Sequence, residues 1–170
     1  VSMEALGELG ATLAAWPFSV ALRASAWAYP IIEIVHLAGM ALLFGSIVVV
    51  DLRLAGLGRQ LPVTTLLRHA LPASVAGFLA VVASGALLFL AHADELIVNR
   101  AFLIKIVLIG LGLANALWFH QGPYRQLHAA PAGASWDIGQ PPPTGARACA
   151  MVSLLTWGLV ICAGRLIAYV

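Results

Sequence analysis

The side chains able to do chemistry are few and lie in apolar surroundings. Glu33 and His36 stand three apart in the stretch IIEIVHLAGMALLF, so they share one helical face at a depth where a solitary carboxylate costs several kcal/mol. Arg165, close to the end of the last apolar stretch, matches Glu33 in depth, and the two are expected to form an ion pair. That pair serves either the bundle itself or, with Arg165 turned to a ligand, the binding of an acidic cofactor group. The histidines fall into two layers, His69 and His120 at one side of the membrane and His36 and His92 toward the other. Two neutral imidazoles from neighbouring helices, facing each other at one depth, meet the requirement for axial ligation of a haem iron. One or two haem b groups are therefore expected, held by His69 with His120 and by His36 with His92, with Arg68, Arg125 and Arg165 available to propionates. His36 lies ~9 Å deeper than Pro30 while His92 sits at a span edge, so the second pairing needs a tilt or a kink.

A second chemistry uses Glu33 and His36 as half of a non-haem site for a transition-metal ion (copper, iron or manganese), completed by His92, Asp94 or Glu95. Nucleophilic catalysis lacks both a Gly-flanked serine elbow and a cysteine with a histidine near it, and zinc-type spacing is missing. His128 reads as a solvated loop residue. These features favour an electron-transfer protein or a redox-complex subunit over a stand-alone enzyme, with a quinol or a redox protein as partner.

The elements that must position these residues follow from composition. With 62% hydrophobic and 9% charged residues over 170 positions, the chain is too apolar for a soluble domain, where about a quarter of residues are charged. The bilayer must be its solvent, and the expected fold class is an all-α integral membrane four-helix bundle. The spans are placed at 30–50, 70–91, 101–120 and 148–170, each long enough for a hydrocarbon core of ~30 Å. Ahead of them, Met3, Leu6, Leu9 and Leu13 line one face of a short helix with Glu4 and Glu8 opposite, which suits the membrane surface. Trp16-Pro17 breaks it, and residues 18–28 read as a second interfacial segment, with Trp16, Trp27 and Tyr29 at headgroup level. Residues 1–29 are thus an interfacial amphipathic region and 30–170 the membrane domain. No basic stretch with an apolar core follows Val1, so no cleavable signal peptide is expected and targeting rests on the first span.

The connections differ in character. Residues 51–69 carry Asp51, Arg53, Arg59 and Arg68; 92–100 is short and acidic; 121–147 is Pro/Gly-rich, ends in PPPTG and is expected to be irregular. Arg53, Arg59, Arg68, Arg125 and Arg147 outnumber Arg23, Arg100 and Lys105 on the opposite side, which orients both termini outward. No Lys/Arg-rich run could follow a phosphate backbone, so nucleic acid is not an expected partner. Cys149 and Cys162 lie ~20 Å apart along one helix, beyond disulfide reach. Small residues at helical spacing, among them Gly39, Gly77, Ala80 and Ser84, let helices approach closely.

Four ordered motifs, WAYPIIEIVH from Trp27 to His36, DLRLAG from Asp51 to Gly56, NALWFH from Asn115 to His120 and GRLIAY from Gly164 to Tyr169, resemble a family of small bacterial inner-membrane proteins known as a domain of unknown function. The resemblance covers the chain from about Ser25 onward and implies a four-helix membrane fold in the bacterial inner membrane, without supplying an activity. More loosely, the arrangement is similar to di-haem b-type membrane cytochromes and to copper-resistance membrane proteins, an analogy of architecture. It carries over only His36, His69, His92 and His120 as axial ligands. The function expected is membrane electron transfer by a b-type cytochrome; the competing readings are a metal-handling membrane protein at Glu33 and His36, and a non-catalytic anchor subunit, as a homo-oligomer or within a larger complex.

Overall fold

The computed structural model describes residues 3–129 and 135–169, and every regular element among them is helical. Helices α1 (Met3–Ala14) and α2 (Pro17–Ala24) meet at Trp16 with a bend of 65°. Pro17 opens α2, where its missing N–H would have had no intrahelical partner. There follow α3 (Ala28–Ala55), α4 (Val63–Ala91), the short turn α5 (Ala93–Leu96), α6 (Arg100–Gln121), α7 (Pro123–Ala129) and α8 (Thr144–Leu166). The helices α3, α4, α6 with its continuation α7, and α8 are long and apolar enough to cross a membrane. Their outer faces expose Ile34, Leu37, Leu79, Val107 and Leu155, which is the burial pattern of helices whose backbone bonds are internal and whose solvent is lipid. The protein is a multi-pass, all-α membrane bundle.

Helices α1, α2 and α5 gather at one end of the bundle, here the terminal face. Arg23 fixes them there, donating to the carbonyls of Ala91 at 2.5 Å and Ala14 at 2.9 Å. Helix α1 lies so close to α5 that a β-carbon on Gly10 would come within 2.7 Å of the Ala93 carbonyl oxygen.

The opposite, loop face departs from the expected boundaries. Helix α3 does not stop at residue 50; it runs through Asp51 and Arg53 to Gly56, whose φ of 113° makes the left-handed cap, with Leu57 N–H returning to the Leu52 carbonyl. Helix α4 begins at Val63 rather than 70, so His69 lies inside it. Its start is preceded by Pro62, which has no capping group, and the carboxylate of the distant Asp137 substitutes, accepting from Thr64 N–H at 2.8 Å and Thr64 Oγ at 2.9 Å. The 121–147 connection is therefore not irregular throughout. It contains α7, and beyond residues 130–134, which lie outside the described residues, Trp136 packs with Leu54, Val63, Leu67 and Phe119 in the loop-face core.

Within the bundle α3 packs on α4 and on α8, and α6 packs on α8. The α3–α4 seam is a backbone contact, since a β-carbon on Gly77 would lie 2.7 Å from Leu43 N and 2.9 Å from the Gly39 carbonyl oxygen. Helices α4 and α6 lack a close backbone seam and meet at the terminal face through Phe89 and Phe102, whose rings stack with centroids 5.4 Å apart. The spans thus form a row in the order α4, α3, α8, α6 that folds round to leave a gap between its two ends.

Candidate functional site

The histidine layers do not close into ligand pairs. His36, half-buried on α3, bonds through Nδ1 to Ser84 Oγ of α4 at 2.9 Å. Because that hydroxyl already gives its hydrogen to the Ala80 carbonyl, His36 Nδ1 is the donor and Nε2 carries the lone pair. Its ring fills the space beside Gly85, where a β-carbon would be 3.2 Å from Cε1. His92 terminates α4 and presents its ring edge-on to Tyr29, with centroids 5.4 Å apart. His36 thus meets α4 at Ser84, eight residues and ~12 Å of helical rise before His92. An iron between two imidazoles needs nitrogens ~4 Å apart, twice a metal–nitrogen bond of about 2 Å.

His69 and His120 fare no better. On α4, Leu67, Leu71, Ser74, Val75 and Phe78 face the gap toward α6, and at about 100° per residue His69 points to nearly the opposite side. It is exposed and bonds its own helix at the Thr65 carbonyl, 2.8 Å away. His120 does line the gap, with Nδ1 on the Ala116 carbonyl at 2.8 Å, and stands in an aromatic file with Tyr124 and His128. The residues present do not fit bis-histidine haem in either layer.

The remaining expected contacts are also redistributed. Arg165 is exposed, donates to Tyr169 Oη at 2.8 Å and stacks on that ring; Glu33 is exposed on α3, and the expected ion pair between them is not made. Among the described residues no three His, Cys, Asp or Glu side chains gather into a group able to hold a metal ion, so Glu33 and His36 lack the completion expected from His92, Asp94 or Glu95. Arg68 and Arg125 are exposed, as is His128 on α7 rather than in a loop. Cys149 is buried, Cys162 exposed, and both are free thiols.

The polar residues that the structure does bring together lie elsewhere. The gap between α4 and α6 is the mouth of a cleft of about 880 Å³ including its open side, floored by α3 and α8. Its walls are apolar, with Leu43, Ile47, Leu71, Phe78 and Leu113 on them and Trp157 seated over Gly112, where a β-carbon would meet the indole at 3.1 Å. Asp51, Ser74, Asn115, His120, Cys149 and Ser153 supply its polar lining. Asp51 is 6% exposed; Ser153 bonds its carboxyl, yet Oδ2 is buried with no hydrogen-bond partner. A buried carboxyl oxygen in that state costs of the order of 1–3 kcal/mol or more.

Two residues along, Arg53 points the other way on the same helix and is 2% exposed. It donates through Nε to the Leu61 carbonyl at 2.8 Å and through Nη2 to the Asp137 carbonyl at 3.0 Å, tying both loop-face connections to α3. Reading Asp51 and Arg53 as loop charges missed both roles. The available signal was the absence of any helix-stop residue between Ser46 and Gly56. No protein family, curated protein or solved structure matches this chain.

Proposed function

We propose that the protein binds a lipid-soluble small molecule in the α4–α6 cleft, admitting it sideways from the bilayer. The observation that carries this reading is an apolar cleft that opens between α4 and α6, two helices without the close backbone approach by which Gly77 seats α4 against α3. Protein interiors close such gaps, and a gap with a few convergent polar groups is what a ligand site needs. The occupant belongs to the apolar class because its route runs through hydrocarbon. A role in membrane redox chemistry fits a lipid-soluble carrier without requiring the histidine pairs. We further place the protein in the bacterial inner membrane with the loop face inside, on the side of Arg59, Arg68, Arg125 and Arg147.

The test is extraction and titration. Protein purified in a mild detergent should release a lipid-soluble molecule on organic extraction, and Ala116→Trp, which fills the cleft, should lose it. Trp157 emission, compared with Trp157→Phe, should respond to added lipophilic ligands and cease to respond in Ala116→Trp. An unresponsive Trp157 with nothing extracted refutes the proposal. A Soret band that disappears in His120→Ala would replace it with a haem reading.

A further inference from the structure

We infer that the molecule in the cleft is neutral and carries a hydrogen-bond-accepting oxygen of the carbonyl class, which takes up the one hydrogen that Asp51 and Ser153 cannot place within the protein. The inference rests on the cleft reading above and adds the chemistry of the ligand's head. It follows from the hydrogens present at the buried floor of the cleft.

Asp51 on α3 and Ser153 on α8 meet across that floor, 6% and 7% exposed. Among the described residues no lysine or arginine lines the cleft, and Arg53 spends its donors on the loop-face carbonyls. An ionised carboxyl there would bear the desolvation of a charge without a counter-charge, so the group stands as the neutral acid. The acid brings one hydrogen and the serine hydroxyl another. Ser46, Ser74 and Ser84 can each return a hydrogen to a carbonyl one turn back on their own helix, whereas Ser153, among the described residues, has only the Asp51 carboxyl. Two hydrogens thus share one bond. If Ser153 donates to Oδ1, the acid hydrogen is left on Oδ2, which has no partner; if the acid donates to Ser153 Oγ, the serine hydrogen is left instead. In either arrangement one buried hydrogen lacks an acceptor.

A ligand that completes this floor brings an acceptor. A carbonyl oxygen offers lone pairs and no hydrogen, and its carrier reaches a lateral mouth uncharged. A carboxylate or a phosphate also accepts, but it would have to shed its hydration and carry a charge through hydrocarbon. A hydroxyl accepts and at the same time adds a hydrogen to a floor that already holds one too many. The half-buried Asn115 keeps one N–H and its Oδ1 beside its bond to the Cys149 carbonyl at 3.0 Å, a donor and an acceptor together, and leaves the balance as it was. His120 keeps a lone pair on Nε2, and among the described residues it makes no bond to Asp51 or Ser153. Phe78, Trp157 and the aliphatic walls take the apolar body of the ligand.

Isothermal calorimetry on the detergent-solubilised full chain compares decyl-benzoquinone with decylbenzene and 2-dodecanone with dodecane, with decyl-benzohydroquinol as the donating control and Ala116→Trp as the blank for partition into micelles. Each carbonyl probe should bind about fivefold or more tightly than its hydrocarbon partner, the size of one neutral hydrogen bond. A larger ratio for the quinone assigns the natural carbonyl to a ring and a larger ratio for the ketone assigns it to a chain; either bears the inference out. Asp51→Leu combined with Ser153→Ala removes both hydrogens and should erase both preferences while leaving hydrocarbon binding unchanged. Asp51→Asn, which cannot ionise and still donates, should keep the carbonyl preference to within about twofold, and carries the test should the double variant not fold. Equal binding of carbonyl and hydrocarbon probes, hydroquinol bound more tightly than quinone, or a carbonyl preference that emerges only in Asp51→Asn each overturns the inference and leaves the cleft reading intact. If no probe binds at all, or if Ala116→Trp blocks none of them, the cleft reading itself falls and takes the inference with it.

Discussion

Replacing Arg53 should damage this protein more than replacing any other basic residue. The side chain is 2% exposed and donates at 2.8 Å to the Leu61 carbonyl and at 3.0 Å to the Asp137 carbonyl. A hydrogen bond from a charged donor contributes about 1.5–3 kcal/mol. Its loss also takes the side-chain donor from the Leu61 carbonyl, while the Asp137 carbonyl keeps the Val63 N–H at 3.0 Å. Against this, removing the guanidinium relieves the burial of a cation whose Nη1 has no partner. Arg53→Met keeps the apolar stem, so the expected net loss is about 1.5–3 kcal/mol, the size of one hydrogen bond from a charged donor, the second being offset by that relief. Arg53→Lys, with one compact head in place of a planar fork, should recover less than half of it. Equilibrium unfolding in mixed SDS and dodecylmaltoside micelles, followed by circular dichroism, measures both. A loss below about 1 kcal/mol for Arg53→Met would show that the Leu61 carbonyl finds another donor and would refute the reasoning.

Asp137→Ala removes the cap on Thr64 and should cost about 1–2 kcal/mol in the same assay, with hydrogen exchange rising first in residues 63–66. Gly77→Leu should split the α3–α4 seam, because its β-carbon has only the backbone of Leu43 and Gly39 to meet, and should abolish folded protein, whereas Gly110→Leu, with open space around it, should be tolerated. Gly10→Leu should lift α1 from α5 and raise exchange across residues 3–14 while leaving the melting of the spans unaltered. Glu33→Gln and Arg165→Gln should combine additively, since Arg165 engages Tyr169; a coupling above about 0.5 kcal/mol in a double-mutant cycle would restore the ion pair.

The membrane class, the helix count and the small-residue seam were legible because they rest on composition and on local spacing. The helix ends at the loop face were not. Hydropathy treats Asp51 and Arg53 as the mark of a connection, yet the backbone carries on until Gly56 permits a left-handed turn. What allows Arg53 inside is a pair of carbonyls, one of them from Asp137 far along the chain, and no window of sequence contains that contact. The histidines show a different limit. Their depths can be read from helical rise, but axial ligation also needs facing directions, and His69 fails on direction while His36 and His92 fail on depth. His69's direction was in fact available, because it falls opposite the Leu67, Leu71, Ser74 face once α4 is started at Val63.

The DLR sequence joins the two halves of the account. Residues two apart on a helix point to opposite sides, so Asp51 must enter the cleft if Arg53 enters the loop-face junction. In the junction the Arg53 guanidinium bonds the Leu61 and Asp137 carbonyls while Asp137 caps α4, which ties the rotation of the last turns of α3 to both connections. That rotation is what aims the Asp51 carboxyl. A buried carboxyl with one unpartnered oxygen on a loose helix end would turn toward water and escape the cost of burial; the Arg53 anchor two residues away opposes that turn. The unpartnered oxygen is therefore maintained by the fold. It follows that Arg53→Lys, even where it leaves the bundle assembled, should weaken ligand binding in the cleft by freeing that last turn, an effect that a purely structural role for Arg53 would not produce.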